Sequence, residues 1–429
     1  MEIASLHEIF LRSKGVVTDT RKIEENNLFF ALVGDHFNGN EFAVQAIEKG
    51  ACFAVIDNAN YHIGDRTILV QDSLKTLQEL AKYHRQHLGL PILALTGSNG
   101  KTTTKELLNA VLSKKFKTVA TTGNLNNHIG VPLTLLSMDQ STEFGVVEMG
   151  ANHAKEIEFL CDIALPDYGY ITNFGKAHLE GFGSLEGVIH AKSELYQHLI
   201  EHEKTIFYNL EDPIQKKKLM THTKVYGFAL TKHNPASDIK IELTQNHPFV
   251  SVHFNDTEIR TNLIGSYNFT NIAAAICVGS YFKIDEQDIK VAISNYTPSN
   301  NRSQIVEKGK VKIILDAYNA NPSSVQAALN NFADLEQKNK AVILGDMLEL
   351  GAEAATEHQN IVDQLSEHGI ENAYLIGENF YKTKGSQLKF KNFEEFKEAF
   401  PRTLKKNKDD LFLIKGSRAM ALERTLELF

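Results

Sequence analysis

The chain has 429 residues, 42% hydrophobic and 23% charged, with 27 Gly and 9 Pro. That composition excludes collagen-like, low-complexity and disordered classes, and the length calls for about three domains at roughly 150 residues each. The formal charge of −8 leaves no basic surface for nucleic acid, so any bound phosphate must be gathered by local groups.

The N-terminal stretch carries Glu2, His7 and Glu8 and no basic segment followed by an apolar one, so a signal peptide is not expected. The longest weakly polar run, Asn271 to Phe282, is too short to insert in a membrane. Cys52, Cys161 and Cys277 lie far apart without a Cys-x-x-Cys pair, which argues against disulfides and a zinc ribbon. A cytoplasmic protein is expected, and a monomer.

Between Val17 and Val70, β-rich runs at Leu28–Leu32, Cys52–Ile56 and Ile68–Val70 surround a helix around Glu41–Lys49. A helix from Leu74 to about His87 closes this small α/β unit, and Leu88-Gly89-Leu90-Pro91 places a boundary between residues 89 and 90. Over residues 90–299, strands at Ile92–Thr96, Gly145–Glu148 and Tyr168–Thr172 alternate with helical patterns, as in a mostly parallel sheet covered on both faces. Residues 204–262 read differently, with alternating runs at Ile239–Leu243 and Phe249–Val252, and predict an antiparallel extension. The turn-rich Thr297–Arg302 sets the next boundary. Strands at Val311–Leu315, Ala341–Leu344, Ala373–Ile376 and Leu411–Ile414 then predict a third, Rossmann-like α/β domain over residues 300–429.

Ile92–Thr96 is followed by Gly97-Ser98-Asn99-Gly100-Lys101-Thr102-Thr103 and by a helix with Leu107, Leu108, Val111 and Leu112 on one face. This is the strand, glycine loop and helix that a phosphate-binding loop requires, although Leu95 stands where the strict pattern has glycine. The glycines let backbone N–H groups converge on phosphate, Lys101 reaches its charge, and the Thr102 hydroxyl suits magnesium.

Three residues downstream invite a chemical reading beside a bland one. Glu148 ends an apolar strand, where a carboxylate either faces a nucleotide crevice or simply meets solvent. His178 lies in a glycine-rich loop at another strand end. Lys192 falls on the apolar stripe of Val188, Ile189, Leu195, Tyr196 and Leu199. It either snorkels toward water or is desolvated into a neutral, nucleophilic amine.

These motifs resemble those of the Mur ligases of bacterial cell-wall synthesis. The resemblance is carried by Thr96–Thr103, by Gly123–Thr134 with Asn126 and Asn127, and by Glu148-Met149-Gly150-Ala151. Ala177–Ser184 and Ala191-Lys192-Ser193-Glu194 carry it further. Asp316–Pro322, Gly345–Gly351 and Lys415-Gly416-Ser417-Arg418 look like the family member that adds D-alanyl-D-alanine to UDP-N-acetylmuramoyl-tripeptide. The resemblance implies ATP-dependent amide ligation through an acyl phosphate. It implies that Lys101, His178 and Lys192 are catalytic, with one magnesium ion on Thr102 and Glu148 and a second on His178 and a carbamylated Lys192.

By the same resemblance, Asn268 and Asn271 lie near the adenine, for which helix capping is the alternative. Arg302, Asp316 and Asn319 complete the nucleotide site. Thr18-Asp19-Thr20-Arg21 and Asn38-Gly39 hold the UDP moiety, with Asn126 and Asn127 also on the substrate. Asn38-Gly39-Asn40-Glu41-Phe42 departs from the family's aspartate-glycine-histidine-aspartate-phenylalanine run. Two alternatives remain: another ligase of this fold, either Mur-type or resembling folylpolyglutamate synthase, and a non-catalytic nucleotide switch.

Overall fold

The structure, a computed structural model, describes residues 1–230, 237–299, 301–309, 311–337, 339–403 and 410–429. Asn300, at the expected second boundary, lies outside the described residues.

The first unit opens with α1 (Ile3–Arg12), β1 (Val16–Val17) and β2 (Leu28–Phe30). A small hairpin of β3 (Val33–Gly34) and β4 (Phe37–Asn38) follows, then α2 (Ala43–Glu48), β5 (Phe53–Ile56) and β6 (Thr67–Leu69). Strands β1, β2, β5 and β6 form a parallel sheet in that order. Leu28, Phe29 and Phe30 are all buried, the continuous apolar pattern of a strand covered on both faces. Helix α3 (Ser73–Leu88) starts where the Asp72 carboxylate accepts the Lys75 N–H and stops at Gly89 with φ 63°.

The central unit contains β7 (Ile92–Thr96), α4 (Lys101–Leu112), β8 (Thr118–Ala120), α5 (Gly130–Leu136), β9 (Phe144–Glu148), α6 (Glu156–Ala164) and β10 (Tyr168–Ile171). After them come α7 (Leu179–Phe182), α8 (Leu185–Lys192), α9 (Glu194–Glu201), β11 (Thr205–Asn209), α10 (Pro213–Lys218) and β12 (Val225–Ala229). It ends with β13 (Ile239–Gln245), β14 (Ser251–Phe254), β15 (Thr257–Arg260), α11 (Asn268–Tyr281) and α12 (Glu286–Asn295). Its nine-stranded sheet runs β15-β14-β13-β12-β11-β10-β7-β9-β8, which sets the strand before the glycine loop between β9 and β10.

Two expectations need correction here. The antiparallel part covers only β13 to β15, because β11 and β12 pair in parallel and bury their apolar residues under α11. The apolar stripe from Val188 to Leu199 implies one helix, but the structure breaks it at Ser193, whose hydroxyl donates back to the Ile189 carbonyl at 2.5 Å, a contact that bends helices.

The third unit contains β16 (Gln304–Lys308), β17 (Val311–Asp316), α13 (Pro322–Asp334), β18 (Asn339–Gly345), α14 (Ala354–Glu367) and β19 (Asn372–Ile376). The remaining elements are α15 (Glu378–Tyr381), β20 (Leu388–Phe390), α16 (Phe393–Thr403) and β21 (Asp410–Lys415). The sheet order is β16-β17-β21-β18-β19-β20, parallel except for β16. The chain passes from β17 to β18 across β21, so the carboxyl ends of β17 and β21 flank a switch in strand order, where crevices open in such sheets.

Candidate active site

The loop after β7 is shaped by what surrounds it. A Cβ on Gly97 would fall 1.9 Å from the Thr172 hydroxyl, and one on Gly100 would fall 2.6 Å from Asn271 Oδ1. Asn99 is pinned on both backbone sides: its N–H donates to Asn173 Oδ1 at 3.0 Å, and its carbonyl accepts the Thr172 hydroxyl at 2.6 Å. The Ser98 hydroxyl donates to the Gly175 carbonyl at 2.9 Å. Helix α4 begins without a side-chain cap, which leaves its first N–H groups for an anion.

The Lys101 amine folds back to donate to the Gly97 carbonyl at 2.7 Å. Burial depresses its pKa, the Glu148 carboxylate opposes that shift, and the Arg302 charge adds to it.

Glu148, buried at the end of β9, accepts the Thr102 hydroxyl at 2.9 Å on Oε2 and the Asn126 amide at 2.8 Å on Oε1. Its own N–H donates to the Thr121 hydroxyl at 2.9 Å. Both of its side-chain partners are neutral donors, and beside the Lys101 amine the carboxylate suits a hard cation. Asn127 accepts the N–H groups of Ile129 and Gly130 and so shapes the start of α5.

His178 lines the same cavity, with Nδ1 2.5 Å from Glu349 Oε2 of the third unit. Lys192 is 0% exposed, and its Nζ has no hydrogen-bond partner among the described residues and lies 5.4 Å from the Phe182 ring centroid. Burial drives its pKa well below the ordinary value, the Lys101 charge pushes the same way, and Glu156 and Glu194 act against them. Lys192 therefore does not snorkel, and it sits behind the cavity rather than among its lining residues.

The cavity, about 620 Å³, is closed by the third unit. Arg302 stacks 3.6 Å from the Tyr318 ring centroid. Asp316 and Lys415 are paired residues at the ends of β17 and β21, and the amine lies 2.6 Å from the carboxylate and 3.2 Å from the Asn319 carbonyl. Asn319 and Thr103 line the wall.

Asn268 and Asn271 line the cavity as well and do not cap α11, whose N-cap is Tyr267. Asn271 accepts the Thr104 hydroxyl at 3.0 Å and donates to Asn268 Oδ1 at 2.8 Å, linking α4 to α11. The run Lys415-Gly416-Ser417-Arg418 carries the resemblance without giving Lys415 a place in the site, although the strand-end rule that marked Glu148 applies to it equally. Asn321, within the Asp316–Pro322 run but given no role there, donates to Asn99 Oδ1 at 2.8 Å across the unit boundary.

The N-terminal candidates are dispersed. Asp19 chelates Arg21 through contacts of 2.8 to 3.2 Å on an exposed turn, which holds its carboxyl down at about 2. Thr18, Asp19, Thr20 and Arg21 do not line the nearby groove, which is formed by residues including Asn38, Phe42 and Asp57. Gly39 is buried, and its Cβ would fall 2.4 Å from the Leu32 carbonyl oxygen, so it serves close packing. At the family's histidine position, the Asn40 amide bridges Asn38 Oδ1 at 2.9 Å and Asp57 Oδ1 at 2.7 Å.

Comparison with known proteins adds three matches along the chain: "Mur ligase family, catalytic domain" over residues 12–85, "Mur ligase middle domain" over 95–279 and "Mur ligase, glutamate ligase domain" over 301–418. The UDP-N-acetylmuramoyl-tripeptide--D-alanyl-D-alanine ligase of Bacillus subtilis is 35% identical over 96% of this chain and 92% of its own length. The crystal structure of MurF from Acinetobacter baumannii superposes with a TM-score of 0.84 at 27% identity, covering 99% of this chain and 97% of that one. MurF ligase from Thermotoga maritima in complex with ADP gives 0.83 at 27% identity, with 98% of each chain covered.

Proposed function

Because the chain belongs to the Mur ligase family, we propose that it joins D-alanyl-D-alanine to the terminal carboxylate of UDP-N-acetylmuramoyl-tripeptide at the expense of ATP. The carboxylate takes the γ-phosphoryl group, the dipeptide amine attacks the acyl phosphate, and phosphate leaves with ADP. One observation carries this reading. Groups suited to nucleotide from two units, the glycine loop with Lys101 and the Arg302, Asp316 and Lys415 set, meet in a single cavity.

In this reading the N–H groups of the loop and the Lys101 amine hold the transferring phosphoryl group, and Arg302 with Asn268 and Asn271 flanks the base. Asp316 and Asn319 fix Lys415 and the adjoining wall. Thr18 to Arg21 and the groove at Asn38 take the UDP end, and Asn126 and Asn127 border the path of the acceptor.

The donors present fit magnesium. No group of three or more His, Cys, Asp or Glu gathers to hold a metal among the described residues. Thr102 and Glu148 form the sparse set with which magnesium, carried mainly on phosphate oxygens, is held. Bound there, the ion would neutralise phosphate charge. The orphaned, buried Lys192 amine fits carbamylation, since only a neutral amine adds carbon dioxide, and the product would offer oxygen ligands beside His178.

No helix among the described residues is long and apolar enough to cross a membrane, and we place the protein in the cytoplasm. An amine panel tests the reading. Phosphate release should require both UDP-N-acetylmuramoyl-tripeptide and D-alanyl-D-alanine. Turnover with glutamate or diaminopimelate in place of the dipeptide would point to another ligase of the fold, and ATP hydrolysis independent of the UDP-sugar peptide would point to a nucleotide switch.

A further inference from the structure

The loop between β18 and α14 reaches back to the central unit through Glu349. Glu349 and His178 both hold left-handed backbone, with φ 64° and 52°, a region that residues bearing a Cβ seldom enter. Non-glycine residues kept there are often held for a purpose other than packing. The two meet side chain to side chain, with Glu349 Oε2 2.5 Å from His178 Nδ1, and main chain to main chain, with the Glu180 N–H donating to the Glu349 carbonyl at 3.1 Å.

Among the described residues no hydrogen bond reaches Nδ1, and this close approach of the Glu349 carboxylate is its polar contact. The contact with His178 holds the Glu349 carboxyl below its usual range. His178 lines the cavity and Glu349 does not. Two residues away, Lys176 pairs with Glu357 of α14 at 2.6 Å, so attachment of the third unit does not depend on Glu349 alone.

We propose that Glu349 is a positioning residue for the ligation: its carboxylate holds the Nδ1 edge of the His178 ring so that Nε2 serves the cavity, and it does so only while the third unit is docked. A carboxylate on the far nitrogen fixes both the tautomer and the orientation of the ring. The joint thereby ties readiness of a central-unit histidine to the presence of the unit that completes the site. This inference rests on the function proposed above and on the role given there to His178.

The test compares Glu349→Ala, Glu349→Gln and Glu357→Ala in the full-length enzyme, with melting curves beside the kinetics. Wild-type ligation of D-alanyl-D-alanine is measured first, so that failure of the functional reading, which would overturn this inference too, is seen separately. Glu349→Ala should lower kcat by roughly 10- to 100-fold, the loss usual for such supporting residues, with the KM for ATP within about twofold. Glu349→Gln keeps an acceptor for Nδ1–H and should retain kcat within about threefold, as should Glu357→Ala, which loosens the contact without touching His178. A wild-type kcat in Glu349→Ala, an equal loss in Glu349→Gln, or an equal loss in Glu357→Ala overturns the proposal.

Discussion

The central unit meets its two neighbours through joints of different chemistry. On the N-terminal side, Leu77, Leu80 and Ala81 of α3 share one apolar cluster with Val131, Leu135, Leu160 and Ala164 of α5 and α6. Polar contacts there are satisfied within the protein. His7 Nε2 lies 3.0 Å from His84 Nδ1, and His84 Nε2 lies 2.9 Å from the Met138 carbonyl. Arg85 donates to the Ala164 carbonyl at 3.0 Å and to Asp167 at 2.8 Å.

On the C-terminal side an apolar strip from Leu179 to Leu350 is joined by Asn99–Asn321, Lys176–Glu357 and His178–Glu349, all close to the cavity. Buried apolar surface holds two units in one arrangement, whereas polar contacts exchange readily for water and ligand. The cavity lies at the second joint, where polar groups can exchange their partners for a ligand.

The contrast can be tested from its strongest consequence downward. Lys192→Ala, beside the polar joint, is expected to lower ligation by roughly 10²- to 10³-fold or more, as loss of a transition-state contact does. Bicarbonate or a short carboxylate should partly restore it, and wild-type turnover in the variant would end the carbamate reading.

Next, Leu80→Ala at the apolar joint should cost about 2–5 kcal/mol in denaturant unfolding, whereas Asn321→Ala at the polar joint should cost about 1 kcal/mol. Equal losses would erase the distinction between the joints.

The smallest effect is one of pH. Burial foremost, then the charges of His84 and His87, lowers the pKa of His7 from 6.5 to about 4. The unfolded chain therefore binds a proton near pH 6.5 that the folded chain refuses until about 4. Stability from this pair should be complete above pH 6.5 and decline as the pH falls toward 4. His7→Asn should flatten that part of the melting-temperature profile, and an unchanged profile would remove the histidine pair from the account of this joint.

Local order explains what could be read before folding. The glycine loop was legible because strand, loop and helix are contiguous in the chain, and Glu148 because a strand end is a place as well as a pattern. Lys192 was legible from its neighbours' spacing, even though Ser193 bends the helix that the spacing implied. The antiparallel stretch was overextended because β11 and β12 are apolar runs whose direction depends on their partners. Lys415 and Asn321 stand in recognisable runs, but their roles were not legible because their partners, Asp316 and Asn99, stand 99 and 222 residues away.

By itself, then, the sequence marked the glycine loop between its strand and helix, the recurring alternation of strands and helices, and a lysine on an apolar stripe that would either snorkel or be desolvated, since these depend on residue type and short-range period. Only the tertiary structure decided that Asp316 would hold Lys415, that Glu349 would face His178, and that the polar contacts of one joint would gather beside the cavity. Those outcomes depend on which strand ends and loops are brought together, and no local interaction along the chain encodes that distance.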